Sequence, residues 1–541
     1  MNFKYIKCML VCSTFINLGM FSHTTANSQE SKINGVIYEN FSIEADNTET
    51  VIEKGTIKPT DYKTAVLLKG KGNRFRLGDV RVESEYTALS AMKANNVIVM
   101  EKGSIINKNG ASAEAYGLNS MIELGNVQIE SGVTALYTGN NATITMKKGL
   151  ITAQSFAVQA AGYNSVIKLG DIQIQGKTGG IHANNNSIVT MEKGSIKGQT
   201  GIHIENGSMI EVNNVQIEAE REGVSILTGG TFMMNKGFIK AKGEGVGIYR
   251  YVDFAIDRKL LGILQKRTEI RLTDVRIESE TAGIIASSST NLINFNLKNS
   301  EIHSNVLIEG KYPLQNFTLN ADHSILEGGA LVDVSESLTV VFNLSNGTVW
   351  TPKISKKEIT RINNTSIHTC STSSVSMLNL DNSSIVFDKP TDDQYQVLHV
   401  GLAIEKAEGP AIVANDPATV YNAKGDAKIY FNTEWSNGLK TKEQKTDRLV
   451  INGSALGTTT VYVNGIKGKT QTTENTSIPA KERGVSLIQV SGKANEDSFK
   501  LANGYTTINN SPYKYTLNAY GPQASSHGED QSMFGENQTY W

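Results

Sequence analysis

The chain has 541 residues, with 52 lysines and arginines against 53 aspartates and glutamates, for a formal charge of -1. A balance this close to neutral offers no general field for phosphates, so nucleic acid is excluded as an expected partner. Its 49 glycines and 9 prolines also depart from average usage of roughly 7% and 5% in opposite directions, which argues against collagen-like and proline-rich disordered chains.

The first element is not part of the fold. Lys4 and Lys7 precede an apolar stretch from Cys8 to Phe21, and Thr24-Thr25-Ala26 supplies the small residues of a cleavage site. Residues 1–26 therefore read as a secretory signal peptide, with a mature chain beginning near Asn27 and exported through the inner membrane. The apolar stretch is shorter than the roughly 20 residues of a spanning helix. Cys370 is the one cysteine left in the mature chain, so the exported protein relies on core burial and repetition, not on an internal disulfide.

Residues 27–400 carry an internal repeat. One phrase ends in Lys-Gly: Glu53-Lys54-Gly55, Glu101-Lys102-Gly103, Lys147-Lys148-Gly149, Glu192-Lys193-Gly194 and Asn235-Lys236-Gly237. A second alternates with it and then follows it: Leu77-Gly78-Asp79-Val80, Leu124-Gly125-Asn126-Val127, Leu169-Gly170-Asp171-Ile172, Val212-Asn213-Asn214-Val215 and Leu272-Thr273-Asp274-Val275. Aligning the lysine of the first with the Asp or Asn of the second gives a step of about 23 residues. Segments such as Val97–Met100 and Val166–Leu169 alternate in the manner of short strands between Gly and Asn turns. The expected fold is all-β, a parallel β-helix (β-solenoid) in which each coil buries its apolar face on the next. The leucine-rich-repeat signature is missing.

In such a stack the aligned column, from Lys54 through Asp79, Lys102, Asn126, Lys148, Asp171, Lys193 and Asn214 to Lys236, never sets like charges on adjacent coils. The next aligned residue is Asp274, a step long by some 16 residues. The excess lies in 249–268, where apolar residues at helical spacing alternate with charged ones, so a short amphipathic helix or a protruding loop is expected there. The column then continues through Asn299, Asp322, Asn346, Asn364 and Asn382, a composition suited to tight turns and to stacked amides that bond to one another. Breaks at Pro390–Asp393 and Glu408–Pro417 mark a boundary.

Beyond the boundary come Asp447-Arg448-Leu449-Val450-Ile451-Asn452-Gly453, Gly457-Thr458-Thr459-Thr460-Val461-Tyr462-Val463, Gly484 to Gly492, Phe499-Lys500-Leu501 and Tyr513 to Leu517. This order resembles the autochaperone region of pertactin-like autotransporter passengers. The resemblance implies a right-handed parallel β-helix over 27–400, a capping β region over 401–520 that aids folding outside the cell, and a flexible tail over 521–541. It also implies a passenger whose outer-membrane translocator barrel is not encoded in this chain, displayed at the cell surface or released. Truncation, processing and a separate barrel gene remain open.

The search for chemistry returns mostly blanks. No Gly-Asp-Ser-Gly or Gly-x-Ser-x-Gly phrase occurs, and no catalytic residues, cofactor or metal are assigned. Asp392-Asp393 reads as a solvated turn. His182 and His203 share a Gly-Ile-His context 21 residues apart and are expected to stack, but two histidines make an incomplete ligand set. Arg-Gly-Asp is absent, while Lys424, Gly425 and Asp426 form the related tripeptide and are the candidate binding residues, with a plain turn as the favoured reading. The expected function is an adhesin that binds host cell-surface or matrix molecules and has no enzymatic activity. A polysaccharide-processing enzyme on the same scaffold and an inactive structural remnant are the alternatives, the enzyme being marked by a groove where carboxylates of neighbouring coils converge.

Overall fold

A computed structural model describes residues 34–249, 267–287, 292–310, 316–332, 339–361, 364–401, 418–436, 439–466, 484–507, 514–521, 532–534 and 540–541. The expected signal peptide, residues 250–266 and the Glu408–Pro417 part of the expected boundary lie outside them. The described chain is almost entirely β, and its parallel strands form a solenoid of about 13 turns.

Strands alternate because their side chains alternate. In Val97–Asn107 and Met121–Ser131 every second residue is buried on either side of the column residue: Ile98 and Met100 then Ile105 and Asn107, and Ile122 and Leu124 then Val127, Ile129 and Ser131. The alternation breaks phase at Lys102 and Asn126. Stacking these inward residues produces one continuous apolar column. Phe75 pairs with Ile98, then Ile122, Ile144, Ile167, Val189, Ile210 and Phe232 follow, coil upon coil. The same column runs on through Ile270, Phe295, Leu319, Phe342 and Leu378 to Tyr421. All of them are buried. Each contributes roughly 1.5–3 kcal/mol by burial, so the column is the main source of stability.

The outward column aligns as the repeat predicts. Lys54 pairs with Asp79, Asp79 with Lys102, Lys102 with Asn126, Asn126 with Lys148, Lys148 with Asp171, and Asp171 with Lys193. Lys102 Nζ reaches Asp79 Oδ2 at 3.1 Å and Lys193 Nζ reaches Asp171 Oδ2 at 3.1 Å. Because these groups are about half exposed, each pair adds at most about 1 kcal/mol, and the ladder acts chiefly on register.

The two alternating phrases have a steric cause. Gly103 follows the column residue and takes φ +127°, and a Cβ there would lie 2.0 Å from the Val80 carbonyl oxygen of the coil beneath. In the next coil Gly125 precedes the column residue, and its Cβ would lie 2.0 Å from the Glu101 oxygen. From Gly78 to Gly194 each coil carries a glycine where a carbonyl of its neighbour presses in, at a position that alternates between coils. The Asn213-Asn214 and Thr273-Asp274 coils carry none, and there the column residues Asn214 and Asp274 themselves take positive φ.

The long step does not interrupt the stack. Asn235 pairs with Thr273 and Gly237 with Val275, so Lys236 and Asp274 fall in register on either side of residues 250–266. One expected column residue is misplaced. Asn364 is not a coil position: it opens the strand Asn364–Cys370, which pairs antiparallel with Ser355–Arg361 as a hairpin. Val349 pairs with Ser384 and Ser345 with Asp381, so the coil after Asn346 is the one that carries Asn382. The spacing of 18 arose because a hairpin of nearly a coil's length splits a 36-residue step in two.

The amide ladder is present, in a column slightly displaced from the turn residues. Asn320 Nδ2 donates to Asn296 Oδ1 at 2.8 Å, Asn343 to Asn320 at 2.7 Å, Asn379 to Asn343 at 2.6 Å and Asn422 to Asn379 at 2.7 Å. Asn296 Nδ2 in turn donates to Glu269 Oε1 at 2.8 Å, which pins the direction of the whole chain of amides.

The C-terminal phrases continue the same solenoid. Thr459–Gly465 pairs parallel with Lys428–Thr433, and Arg448–Asn452 with Val397–Gly401. The Asp447-Arg448 phrase is a structural joint. Buried Asp447 accepts from the backbone N–H of Gln396 at 2.9 Å and from Asn432 through its backbone N–H and Nδ2, both at 2.8 Å. Buried Arg448 donates to the carbonyls of Thr441 and Gln444. Within 521–541, expected as a tail, Trp541 exchanges two backbone hydrogen bonds with Val490, and Tyr540 is buried.

Candidate functional site

Two neighbouring features stand out on one flank of the rod. The first is a groove of about 740 Å³ at the corner where the long strands lead into the next short ones. The small residues Ala153, Gly176, Gly198 and Ala219 lie beneath it, and a register column, Thr152, Gln175, Lys197, Glu218 and Lys240, one residue per coil, lines one side. A parallel row with Gln154, Lys177, Gln199, Glu220 and Lys242 forms its wall. Four lysines against two glutamates leave the lining net positive, and Gln154, Gln175 and Gln199 add amide donors and acceptors at three of the five levels. Lys197 pairs with Glu218 at 2.8 Å.

The second feature begins a few residues further along the same coils. An outward column runs Ser90, Glu114, Tyr137, Gln159, His182, His203 and Ser225. Ser90 Oγ donates to Glu114 Oε1 at 2.8 Å, and burial raises the Glu114 carboxyl above its usual range. His182 and His203 are register partners whose rings lie 5.1 Å apart at 55°. Phe156 covers His182 from the preceding coil with a ring separation of 5.1 Å, over Gly179, where any Cβ would strike the phenyl ring.

Glu205 joins the two histidines. It stands two residues after His203 and so projects to the same side of the strand Ile188–Glu205. His203 Nε2–H donates to Glu205 Oε1 at 2.6 Å, and Glu205 Oε2 lies 3.7 Å from His182 Nε2. The two imidazoles, His182 first, hold the Glu205 carboxyl well below the usual carboxylate range. His182 Nε2 is buried and makes no hydrogen bond. The stacking of the histidines follows from the repeat. The glutamate was overlooked in the sequence, although Gly-Ile-His-Ile-Glu places it on the histidine's own face by simple alternation.

The candidate binding tripeptide lies elsewhere. Lys424 ends the strand Thr419–Lys424, Gly425 takes φ +62°, and Asp426 N donates to Asn382 Oδ1 at 3.0 Å. The Asp426 carboxylate is engaged by Lys428, and the three residues form the turn that continues the Asn346 and Asn382 level. Asp392 and Asp393 occupy a turn with positive φ, with Asp393 paired to Lys445 at 2.8 Å.

Neither family models nor curated proteins match this chain.

Proposed function

We propose that this protein is an exported surface protein of the pertactin-like autotransporter passenger type, which works by binding host cell-surface or matrix molecules and not by catalysis. The observation that carries the binding reading is the lysine- and glutamine-lined groove, which repeats one polar level per coil over five coils. Such spacing suits an extended partner with repeating acidic and hydroxyl groups, gripped weakly at each level and strongly in sum. The C-terminal coils support the passenger reading: the Asp447-Arg448 joint and the returning Trp541 secure that end of the stack, as a folding nucleus requires.

The test is adhesion. Beads coated with the full chain should bind host cells or immobilised acidic matrix polysaccharide, and K197E combined with K240E should abolish binding while leaving circular dichroism and melting unchanged. Undiminished binding by the folded double variant would remove the groove from the reading.

A further inference from the structure

We infer that His182, His203 and Glu205 form a binding site for one divalent metal ion of the zinc class. The three side chains converge. Their candidate ligand atoms all lie within 4.8 Å of one another, with Nε2 of both rings directed at the two oxygens of the one carboxylate. In a tetrahedral zinc site with bonds of about 2.0–2.2 Å, ligand atoms stand roughly 3.3–3.5 Å apart. His182 Nε2 to Oε2 at 3.7 Å is already near that spacing, and His203 Nε2 to the other oxygen at 2.6 Å has to open by less than about 1 Å as the His203 proton moves to Nδ1 and frees the Nε2 lone pair. The two ring nitrogens, within 4.8 Å of each other, have to draw to the same spacing as the carboxylate turns one oxygen to the ion.

The framework is suited to hold such an ion. His182 and His203 come from adjacent coils locked in parallel register, and Glu205 from the same strand as His203, so backbone pairing fixes all three origins. Their side chains are 14%, 20% and 21% exposed, which removes most competing water and still leaves an entry path. The buried His182 Nε2 without a hydrogen bond is a polar atom whose burial costs free energy until something partners it. Phe156 against the His182 ring restricts its rotation. Two imidazoles and one carboxylate favour zinc-class ions over magnesium or calcium, which seek all-oxygen shells. Three protein ligands leave a fourth position open to water or to a donor group of a bound partner.

The experiment uses the full chain freed of metal by chelation. Titration calorimetry with Zn²⁺ should show one site per chain, and Co²⁺ should give the intense visible bands of a four-coordinate nitrogen and oxygen site. H182A and the nearly isosteric E205Q should each weaken Zn²⁺ binding on the order of a hundredfold, since even outer-shell losses cost about 10–100-fold. H303A provides the control, because His303 meets Glu301 and Glu327 in a separate cluster, and it should leave the site intact. Zn²⁺ should raise the melting temperature of the parent and of H303A, and not that of E205Q. Absence of stoichiometric Zn²⁺ binding, equal binding by folded E205Q, or a preference for Mg²⁺ would overturn the assignment.

Discussion

Replacing Asn343 probes whether the amide ladder has a direction. Asn343 Nδ2 donates to Asn320 Oδ1 at 2.7 Å, and its Oδ1 accepts from Asn379 Nδ2 at 2.6 Å. Asn343→Ala removes both bonds in a half-buried row, and at about 0.5–1.5 kcal/mol each the loss is about 1–3 kcal/mol. Asn343→Asp keeps the shape but sets an acceptor against Asn320 Oδ1. Flipping Asn320 and Asn296 cannot relieve this contact, because Asn296 must donate to Glu269 at the far end. Two acceptors would then bracket two amides, and one repulsive contact is unavoidable. The ionised Asp variant should therefore be at least as unstable as Ala at neutral pH. The acceptor facing it raises its folded-state carboxyl above the ordinary value of about 3.9, so the folded form binds more protons and stability falls as pH rises through that raised value. Urea unfolding followed by circular dichroism at about pH 4 and about pH 7 reads this directly, with the Asp variant recovering relative to Ala at the lower pH. Loss of less than about 0.5 kcal/mol for Ala, or Asp tracking Ala at both pH values, would refute a directional ladder.

Gly125→Ala should destabilise by about 1–3 kcal/mol, because its Cβ meets the Glu101 carbonyl oxygen at 2.0 Å and two coils must part to admit it. A melting temperature equal to the parent's would show that the coils have slack there. Lys102→Glu, which sets a carboxylate beside Asp79, should cost about 1 kcal/mol or less, and added salt should erase the difference. Asp447→Ala strands the backbone N–H groups of Gln396 and Asn432, while Asn432 Nδ2 keeps the Phe387 and Asp388 carbonyls, and should lower stability by about 2 kcal/mol or more while making the C-terminal coils the first cleaved in limited proteolysis.

The solenoid was legible because stacking forces like positions into columns, and a column leaves a period in the sequence. The Lys, Asp and Asn series gave register from Lys54 to Asp274 correctly, even across the long step, since an excursion between coils leaves both flanking coils in phase. It failed at Asn364, where a hairpin happened to supply an Asn at half the true interval. The alternation of the two phrases was visible, but its cause was not, because it lies in the neighbouring coil, whose carbonyl fills the space beside Gly103 and Gly125 in turn. The groove was illegible for a related reason. Lys197 and Glu218 look like ordinary exposed strand residues until the corner makes their face concave.

Export and surface display are the first requirement of the proposed function. Intact cells producing the chain should be treated with an external protease and probed with antibodies, and the accumulated protein should be sequenced from its N-terminus. An exported passenger should be labelled by antibody without permeabilisation, lose its rod to protease on unbroken cells and carry a mature terminus close to Asn27. A chain that retains Met1 and resists protease until the cells are broken would contradict export.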